Sequence, residues 1–548
     1  MNTHLERLAQ VAEILGRHGL GSLVAATGVD RWRVAQAVGS KPQITNPHRI
    51  RLALEELGPV FIKLGQMLST RPDLLPPGYL TELSKLQDGA PPVSADAVRA
   101  VILQELGAAP EQLFATFDDA PLASASIGQA HTATLFDGTE VVVKVRRPGV
   151  VARINEDLEI LQNLATYANR TWPVAADFNF SGIATDFAAT LRAELDYLQE
   201  GRNAERFEEN FAADPGIHIP RIFWETTSSR VLTIERIRGI KVDDVEALVE
   251  AGIDTLELAD RAARAAAKMI FEDGFFHADP HPGNLFVEAS GTIGLIDFGM
   301  VGEVRAPLRE QLAKLLQALT SNNPDRISSA LLHLSTAPPT ADRAALRHDA
   351  AVFIQMYQDK KLGELEIGPL VVQLLAILRD HRLQLPRELA LLAKMLLMTE
   401  GMGARLNPEF SLGNVLKPYA RRLALERFEP RNLAQSFSRL GLTVAEIGLD
   451  LPEKLERLAA RMDDGVEVRL RTAELEPLVA RAEQIGNRLV AGMVAAAFIR
   501  GIGDVATADS EGLTKWGKPL LAGAVGAVGA LSTYLAWTGR HRRGTGRR

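Results

Sequence analysis

The sequence predicts an α+β protein in which helices surround two groups of short strands. The first group lies between about residues 110 and 240, where β-branched runs are bounded by turn residues. The second group is a hairpin, Leu285–Val287 and Ile293–Ile296, around a turn at Gly291. Apolar residues at three- and four-residue steps outside these groups predict helices. With 548 residues the chain is too long for a single hydrophobic core, so two or three domains are expected.

The composition excludes several classes of function. A hydrophobic content of 46%, a charged content of 24% and a net charge of -7 describe a folded protein without the basic surface that binds nucleic acid. Cysteine is absent, which excludes disulfides, thiolate metal sites and a cysteine nucleophile. The first twenty residues have neither a long apolar core nor a small-residue cleavage site, so they predict an amphipathic helix rather than a secretory signal.

Residues 1–95 are predicted to be helical. One apolar stripe follows helical spacing, with polar residues opposite it: Leu54, Leu57, Phe61, Leu64 and Leu68. Lys63 and Gln66 lie three residues apart, which makes them neighbours on one helix face. A solvated surface is the plainer interpretation of that pair. The proline-rich piece Ala90–Val93 marks the end of this region.

A loop and a strand lysine predict a phosphate-binding site in the first group of strands. The loop holds these candidate cofactor-binding residues: Ala123, Ser124, Ala125, Ser126, Ile127, Gly128 and Gln129. Lys144 lies in the strand Glu140–Val145, from which a lysine reaches the phosphates of a nucleotide. A plain edge-strand charge is the alternative. Because the loop is built of alanine and serine, it is stiffer than a glycine-rich loop and keeps its backbone further from a phosphate.

Two glutamates and a connecting strand complete the predicted nucleotide site. Glu194 and Glu200 follow a helical run, and either one is a candidate ion-pair partner for Lys144. Acids on a helix surface are the alternative interpretation. Val231–Ile237 predicts a strand that runs into a connecting segment, where backbone groups near Glu235 would meet an adenine.

The stretch Phe275–Gly299 carries the strongest chemical pattern in the chain. Asp279 is followed five residues later by Asn284, and Asp297 opens an Asp-Phe-Gly triplet. Phosphoryl transfer needs a carboxylate near the attacking oxygen, together with an amide and a second carboxylate that hold magnesium. The spacing matches that of protein kinases. It predicts Asp279 as the catalytic carboxylate, with Asn284 and Asp297 as metal ligands.

Two histidines and a long helical region carry weaker patterns. His277 and His281 flank the catalytic aspartate at two-residue steps, but no third ligand of the right kind accompanies them. Kinase roles are therefore favoured over a metal cluster of these histidines. Residues 305–480 are predicted to be helical and to pack beneath the catalytic residues, with Leu-rich segments separated by polar turns.

The last seventy residues predict a membrane anchor. Residues 519–537 carry no charge, and as a helix they would measure roughly 28 Å, close to a hydrocarbon thickness of about 30 Å. Gly523, Gly526 and Gly529 form a small-residue face suited to helix packing in lipid. The segment 489–499 is apolar but short and is followed by Arg500, so a strained first limb of a hairpin is expected. The arginine-rich tail places the C-terminus in the cytoplasm. A buried helix of a soluble domain is the alternative for 519–537.

Together these motifs resemble the UbiB family of atypical protein-kinase-like proteins (AarF/UbiB type) over nearly the full length of the chain. The segments that carry the resemblance are Lys63–Gln66, Ala123–Ala130, Val141–Lys144, Glu194–Tyr197, His277–Asn284 and Asp297–Gly299. The resemblance implies a two-lobed protein-kinase-like fold with a helical N-terminal extension and C-terminal membrane helices. The expected domains are the extension (1–95), an N-lobe (96–240), a C-lobe with a helical region (241–480) and a membrane-anchoring hairpin with a basic tail (481–548).

The resemblance also implies an activity. Family members bind ATP or ADP with Mg²⁺, show ATPase activity, and support the biosynthesis of ubiquinone or related isoprenoid lipids at membranes. In the family, the residues that correspond to Lys63 and Gln66 obstruct the place where a protein substrate would bind, which is a regulatory role. Lys144 is expected to contact the phosphates, and Asp279 to activate water or an acceptor.

The expected partners and location follow from the same resemblance. The partners are a membrane lipid or an isoprenoid quinone precursor, lipid-biosynthetic enzymes, and a second copy of the chain through the membrane helices. The expected location is the inner membrane, with the catalytic domain in the cytoplasm. Two other functions fit the motifs: a non-catalytic, nucleotide-gated scaffold for a biosynthetic complex, and a kinase for a small molecule or lipid. The intact set of a phosphate lysine, a catalytic carboxylate and two metal ligands favours chemistry over the scaffold.

Overall fold

The computed structural model describes most of the chain up to residue 426. The described residues are 2–18, 46–86, 90–171, 173–320, 323–337, 341–357 and 366–426. The predicted membrane segments 489–499 and 519–537 lie outside them. Within the described ranges, no helix is long and apolar enough to cross a membrane.

The described residues of the N-terminal region, 2–18 and 46–86, are largely helical, as the apolar spacing predicts. Its helices are α1 (Asn2–Arg17), α2 (Pro47–Leu57), α3 (Pro59–Ser69) and α4 (Pro77–Leu83). The predicted stripe is divided between α2 and α3, because Gly58 adopts a φ of 100° that ends one helix before Pro59 begins the next. Asn46 caps α2 by accepting a hydrogen bond from the amide of His48.

A four-stranded antiparallel sheet follows. Two helices precede it, α5 (Ala95–Leu106) and α6 (Pro110–Leu113), and its strands stand in the order β1 (Thr116–Ser124), β2 (Gly128–Thr134), β3 (Glu140–Arg146) and β5 (Val231–Glu235). In β3 the side chains alternate between buried and half-buried positions, which matches its β-branched pattern. Val141, Val143 and Val145 pack with Ile102 and Phe114 in a core beneath this sheet. Lys144 therefore lies on the opposite face from that core.

Four helices connect β3 to the rest of the molecule: α7 (Val150–Thr171), α8 (Pro173–Asp177), α9 (Phe180–Glu194) and α10 (Tyr197–Phe211). Helices α7 and α9 share a core with the N-terminal helices, which includes Leu57, Phe61, Leu158 and Leu191. The N-terminal region is thus packed through apolar contacts against the helices that follow the first sheet.

A second group of strands follows. It contains a sheet in the order β4 (Ile217–His218), β9 (Ile293–Leu295), β8 (Leu285–Val287) and β6 (Ile240–Lys241), and a pair formed by β7 (Phe275–His277) and β10 (Val301–Glu303). Strands β8 and β9 form the predicted hairpin, and Gly291 in its turn has a φ of 80°. Helices α11 (Val245–Glu250) and α12 (Thr255–Lys268) precede β7, and a π-helical turn (Met269–Asp273) ends α12.

The described residues between β10 and residue 426 are largely helical, in agreement with the prediction for that part of 305–480. Its helices are α13 (Ala306–Thr320), α14 (Pro324–Leu334), α15 (Arg343–Tyr357), α16 (Ile367–Asp380), α17 (Arg387–Leu406) and α18 (Leu412–Glu426). Helix α17 packs against α12 and contacts β10. Its buried residues, such as Leu392 and Met395, belong to the core that also encloses Phe276 and Phe298. Helix α17 is therefore built into the part of the molecule that carries the catalytic pattern.

One buried ion pair joins α1 to α7. Arg7 donates to both carboxylate oxygens of Asp157, at 2.6 and 3.1 Å, and to the carbonyl oxygen of Leu57 at 2.6 Å. The side chains of Arg7 and Asp157 are only 9% and 1% exposed. Removing one partner would leave a buried charge without its counter-charge.

We expect Asp157→Ala to lower the free energy of unfolding by about 3–5 kcal/mol, because Arg7 would remain buried and uncompensated. The matched control is Asp260→Ala, since Asp260 pairs with Arg264 at 2.7 Å where both side chains are about half exposed. The control should cost less than about 1 kcal/mol. Urea unfolding followed by circular dichroism measures both, and equal losses would contradict the assignment of the buried pair.

Candidate active site

Lys144 and Glu200 form an ion pair between the first sheet and helix α10. The Nζ atom of Lys144 donates to Oε1 of Glu200 at 2.6 Å and to the carbonyl oxygen of Ile296 at 3.3 Å. Glu200 lies in the first turn of α10, which Asp196 caps by accepting from the amide of Leu198. Of the two candidate glutamates, Glu200 is therefore the one that contacts the strand lysine.

The charges around this pair shift the pKa values of the site in different directions. Burial and the charge of Asp297 raise the pKa of Glu200, although the ammonium group of Lys144 opposes that shift. Burial by itself would lower the pKa of Lys144, but the negative charges of Glu200 and Asp297 outweigh it and raise that pKa above its ordinary value. Burial would raise the pKa of Asp297, yet the charge of Lys144 and the hydrogen bond from the amide of Gly299 bring it below its ordinary value. At neutral pH the site thus presents one ammonium group and an ionised aspartate side by side.

The loop between β1 and β2 is short and tightly held. The amide of Ala125 donates to the carbonyl oxygen of Gly128 at 2.9 Å. Arg147 donates to the carbonyl oxygen of Ala125 at 2.8 Å and to the hydroxyl of Ser124 at 2.7 Å. Ile127 is buried in the core shared with the N-terminal helices. This loop is consequently attached both to Arg147, the residue that follows β3, and to the N-terminal region.

The remaining residues of the predicted loop are placed as follows. Ala123 is the last residue but one of β1 and lies opposite Ala130, and Ser124 ends the strand opposite Gln129. Ser126 is buried, and its hydroxyl has no hydrogen-bond partner among the described residues. Gly128 faces Tyr197, so that a β-carbon there would lie 2.3 Å from the Tyr197 hydroxyl. The side chain of Gln129 is buried and accepts a hydrogen bond from the amide of Val93 at 2.8 Å. The side chain of Gln129 is thus hydrogen-bonded to the linker before α5, and the loop is bordered by the Gln129 backbone.

His277 connects the segment His277–Asn284, which contains the predicted catalytic Asp279 and is called the catalytic loop below, to the Asp-Phe-Gly segment Asp297–Gly299. Its Nδ1 accepts from the amide of Asp279 at 3.2 Å, so Nε2 carries the proton and donates to the carbonyl oxygen of Asp297. Burial lowers the pKa of His277, which keeps the ring neutral. Its ring packs edge-on against Phe298. Because both ring nitrogens are used in this way, His277 acts as a structural bridge.

The catalytic loop is folded back on itself by hydrogen bonds of Asn284 and His281. The Asn284 amide nitrogen in the side chain donates to the carbonyl oxygen of Asp279 at 3.3 Å, which leaves the side-chain oxygen as an acceptor. The backbone amide of Ile296 donates to the carbonyl oxygen of Asn284 at 3.2 Å, and His281 accepts from the amide of Gly283. Asn284 and Asp297 therefore offer an amide oxygen and a carboxylate, which are the hard oxygen ligands that Mg²⁺ prefers.

The N-terminal helices close one side of the site. Lys63 on α3 lies 3.4 Å from a carboxylate oxygen of Glu194, and Gln66 donates to the carbonyl oxygen of Leu86 at 3.2 Å. Lys63 and Glu194 also line a cavity of about 120 Å³ together with Asp279. The sequence predicted Glu194 as one of two partners for the strand lysine, and the structure places it against Lys63 instead.

Lys394 is a residue of the site that the sequence did not indicate. Its Nζ donates to Oδ1 of Asp279 at 2.7 Å, and its side chain is 12% exposed. Lys394 lies on α17 and is separated from Asp279 by 115 residues. The sequence gives only a weak indication that Lys394 belongs to the site: it is the one lysine that interrupts an apolar run from Leu389 to Leu397.

Glu235 lies at the end of β5, where the chain leaves the first sheet. Its carboxylate accepts from the backbone amide of Arg221 at 3.2 Å and lies 3.4 Å from Nε2 of His218. His218 contacts Glu288 through its other ring nitrogen at 2.6 Å. His218 thus links the end of β5, through Glu235, to the turn between β8 and β9, through Glu288.

Two family models match segments of this chain. Residues 85–331 match the ABC1 atypical kinase-like domain, and residues 350–411 match the UbiB helical domain. A probable protein kinase UbiB of Xylella fastidiosa is 32% identical over 554 residues, which cover 97% of this chain and 99% of that protein. The chain belongs to the UbiB family. The corresponding UbiB protein of Xanthomonas campestris is 31% identical over 97% of this chain and 99% of its own length. The uncharacterized protein sll1770 of Synechocystis is 37% identical over 450 residues, covering 80% of this chain and 77% of that protein.

Membership in the UbiB family confirms the resemblance drawn from the motifs and the mixed helix-and-sheet, kinase-like fold with N-terminal helices. Lys144, Glu200, Asp279 and Asp297 lie within the match to the kinase-like domain, whereas Lys394 lies within the match to the UbiB helical domain. The candidate site of this member of the UbiB family is therefore assembled from both segments.

The pair of contacts around His218 predicts a pH dependence of stability. Burial would lower the pKa of His218, but the hydrogen bond to Glu288 and the charge of Glu235 raise it above its ordinary value of 6.5. A raised pKa in the folded state means that protonated His218 stabilises the fold fully below about pH 6.5, the unfolded value, and that this contribution is lost as the pH rises through the folded pKa.

We expect His218→Gln to remove this contribution. The difference in unfolding temperature between wild type and variant should be largest near pH 6 and should shrink by about pH 9. Thermal unfolding across that range measures it. Two curves that stay parallel from pH 6 to pH 9 would show that His218 does not carry this dependence.

Proposed function

We propose that this protein binds adenine nucleotide with Mg²⁺ and hydrolyses ATP in support of isoprenoid quinone biosynthesis, of the ubiquinone type, or of related lipid biosynthesis at a membrane. The observation that carries the nucleotide part is the ion pair of 2.6 Å between Lys144 and Glu200, with Asp297 beside it. In kinases, this pair and the aspartate of the Asp-Phe-Gly segment must both be in place for phosphoryl transfer.

The residues present fit a magnesium ion. Asp297 is ionised, because Lys144 and the amide of Gly299 hold its pKa down, and the side-chain oxygen of Asn284 is left as an acceptor. When bound, Mg²⁺ would neutralise charge on the phosphates of the nucleotide. The ammonium group of Lys144 would hold the phosphates, and Glu200 would keep that ammonium group in position.

Asp279 is the candidate for orienting the nucleophile. One of its oxygens receives the hydrogen bond from Lys394, and its side chain lines the cavity beneath α3. A carboxylate in this position would accept a proton from water or from an acceptor hydroxyl as the oxygen attacks the terminal phosphate. The loop of alanine and serine, held by Arg147 and by the packing of Ile127, favours hydrolysis over transfer to a protein, because it limits how closely the backbone follows the phosphates.

The lipid part of the proposal is supported by the names of the relatives and by the C-terminal sequence. The Xylella and Xanthomonas relatives are named probable protein kinase UbiB. Residues 519–537 carry no charge and are followed by the five arginines Arg540, Arg542, Arg543, Arg547 and Arg548. A hairpin with this tail would anchor the protein in the inner membrane with the catalytic residues in the cytoplasm, where lipid-biosynthetic enzymes and a quinone precursor are its proposed partners.

Measuring ATP consumption by the purified full-length protein, with and without candidate acceptors, tests the activity. Release of inorganic phosphate without an acceptor supports an ATPase. Label transferred from ATP to a small molecule or lipid identifies a kinase for that acceptor. Binding of ADP without any consumption of ATP would leave the nucleotide-gated scaffold as the function.

We expect Asp297→Asn to abolish the gain in ADP affinity that magnesium provides, roughly tenfold or more, because a charged ligand contact is worth about 1.5–3 kcal/mol. The matched control is Asp325→Asn, since Asp325 forms an exposed pair with Arg347 far along the chain. Calorimetric titration with ADP, in MgCl₂ and in EDTA, measures the gain. A gain that equals the wild-type value in Asp297→Asn would rule out the assignment.

The membrane proposal predicts flotation of the full-length protein with liposomes. Val528→Asp places a charge at the middle of residues 519–537, which costs about 2.5–3.5 kcal/mol at the centre of a bilayer and should reduce flotation. Thr545→Asp, in the arginine tail, is the control and should float as well as the wild type. Wild-type protein that stays in the aqueous fraction without detergent would contradict the anchor.

A further inference from the structure

The catalytic loop has no cation of its own. The segment His277–Asn284 contains neither lysine nor arginine, so the carboxylate of Asp279 has no positive side chain next to it in sequence. The two histidines of the loop are engaged elsewhere: His277 bridges to the carbonyl oxygen of Asp297, and His281 accepts from the amide of Gly283. The charge that faces Asp279 must therefore come from another element.

Lys394 supplies that charge from helix α17. The distance from its Nζ to Oδ1 of Asp279 is 2.7 Å, and within the described ranges this is the one hydrogen bond that the Lys394 side chain makes. Among the described residues, Lys394 is the donor to the Asp279 carboxylate, and its hydrogen bond goes to Oδ1 rather than Oδ2. One carboxylate oxygen is thus held by the lysine, and the other is left for a proton-donating nucleophile.

The helix that carries Lys394 is held by packing. Helix α17 packs on α12 and contacts β10, and its next residue, Met395, is buried in the core that contains Phe298. Only 12% of the Lys394 side chain is exposed, against 33% for Asp279. A largely enclosed lysine on a packed helix fixes the orientation of a carboxylate on a loop better than an exposed lysine, because its rotamers are restricted by packing.

The three lysines around the site pair with three different carboxylates. Lys144 pairs with Glu200 at 2.6 Å, and Lys63 lies 3.4 Å from Glu194. Lys394 pairs with Asp279, and it lines the cavity of about 120 Å³ that also borders Lys63 and Glu194. Lys394 is accordingly on the side of Asp279 where an attacking water or acceptor would enter, whereas Lys144 is on the side of the phosphates.

We propose that Lys394 is a positioning residue for phosphoryl transfer: it orients the Asp279 carboxylate toward the nucleophile, so that the helical region completes the active site of the kinase-like domain. This inference rests on the proposed function, because the nucleophile is the one that attacks the terminal phosphate of ATP. The lysine itself neither enters a bond nor transfers a proton. Its effect is on the geometry of the proton acceptor.

The test compares Lys394→Met with Lys394→Arg in the full-length protein. Lys394→Met should lower kcat for ATP about 10- to 100-fold, the cost of a misplaced catalytic group, while KM for ATP and the Kd for ADP with Mg²⁺ change less than about threefold. Lys394→Arg keeps the charge and should recover much of kcat. The control is Lys314→Met, which removes a lysine paired with Glu310 at 2.8 Å on an exposed helix face and should leave all three constants unchanged.

A double-mutant cycle separates positioning from a general structural role. If Lys394 acts through Asp279, Lys394→Met should have almost no further effect on kcat in the Asp279→Asn background. A structural role would instead lower kcat by the same factor in both backgrounds, together with the unfolding temperature and the affinity for ADP. Either that additivity, an unchanged kcat, or a raised kcat in Lys394→Met would overturn the proposal.

Hydrogen exchange separates failure of this inference from failure of the proposed function. A wild-type protein that binds ADP but consumes no ATP would reject the ATPase. In that case the amides of residues 275–286, among them His281, whose amide donates to the carbonyl oxygen of Asp279, report the positioning directly. Faster exchange in this segment in Lys394→Met, but not in Lys314→Met, would support the role of Lys394. Exchange equal to that of wild type would reject it.

Discussion

The ion pair between Lys144 and Glu200 is the contact on which the arrangement of the site depends. It connects the third strand of the first sheet to the first turn of helix α10, and the same ammonium group reaches the carbonyl oxygen of Ile296 just before Asp297. Burying two charges is costly, and their attraction repays that cost only when the geometry is good and further hydrogen bonds are made. The neighbouring Asp297 also attracts the ammonium group and raises the pKa of Lys144, while its charge repels Glu200 and raises the pKa of that carboxyl. Three separate elements are therefore held together by one set of charges.

The N-terminal helices are part of the same structure because they share a core with the helices after the first sheet. Leu57 and Phe61 pack with Leu158 and Leu191, and Ile127 from the loop between β1 and β2 joins them. The loop is consequently restrained by apolar packing on one side and by Arg147 on the other. Lys63 is brought within 3.4 Å of Glu194 by this packing. The stiffness of the loop thus comes from its surroundings as well as from its alanine and serine composition.

The catalytic loop and the Asp-Phe-Gly segment are held together by backbone contacts and aromatic packing. His277 is held neutral by burial and joins the amide of Asp279 to the carbonyl oxygen of Asp297, and Asn284 accepts from the amide of Ile296 through its backbone. Phe298 packs between Phe207 of α10 and His277, while its carbonyl oxygen accepts from Asn203. These contacts bring the catalytic loop and the metal-binding candidates into one place. Helix α17 then adds a lysine from outside the kinase-like domain.

The sequence by itself determined the helices and strands and the types of residue that form the site. The β-branched run around Lys144, the hairpin at Gly291 and the apolar stripes of the helices depend on local spacing, so they could be predicted. The set Lys144, Asp279, Asn284 and Asp297 was found because each member belongs to a short motif. Only the tertiary structure decided which charges meet. Glu194 and Glu200 have the same chemistry and lie six residues apart, and the packing of α9 and α10 directs one to Lys63 and the other to Lys144. Lys394 and Asp279 are 115 residues apart, and no local pattern encodes a contact that forms only when α17 packs against α12.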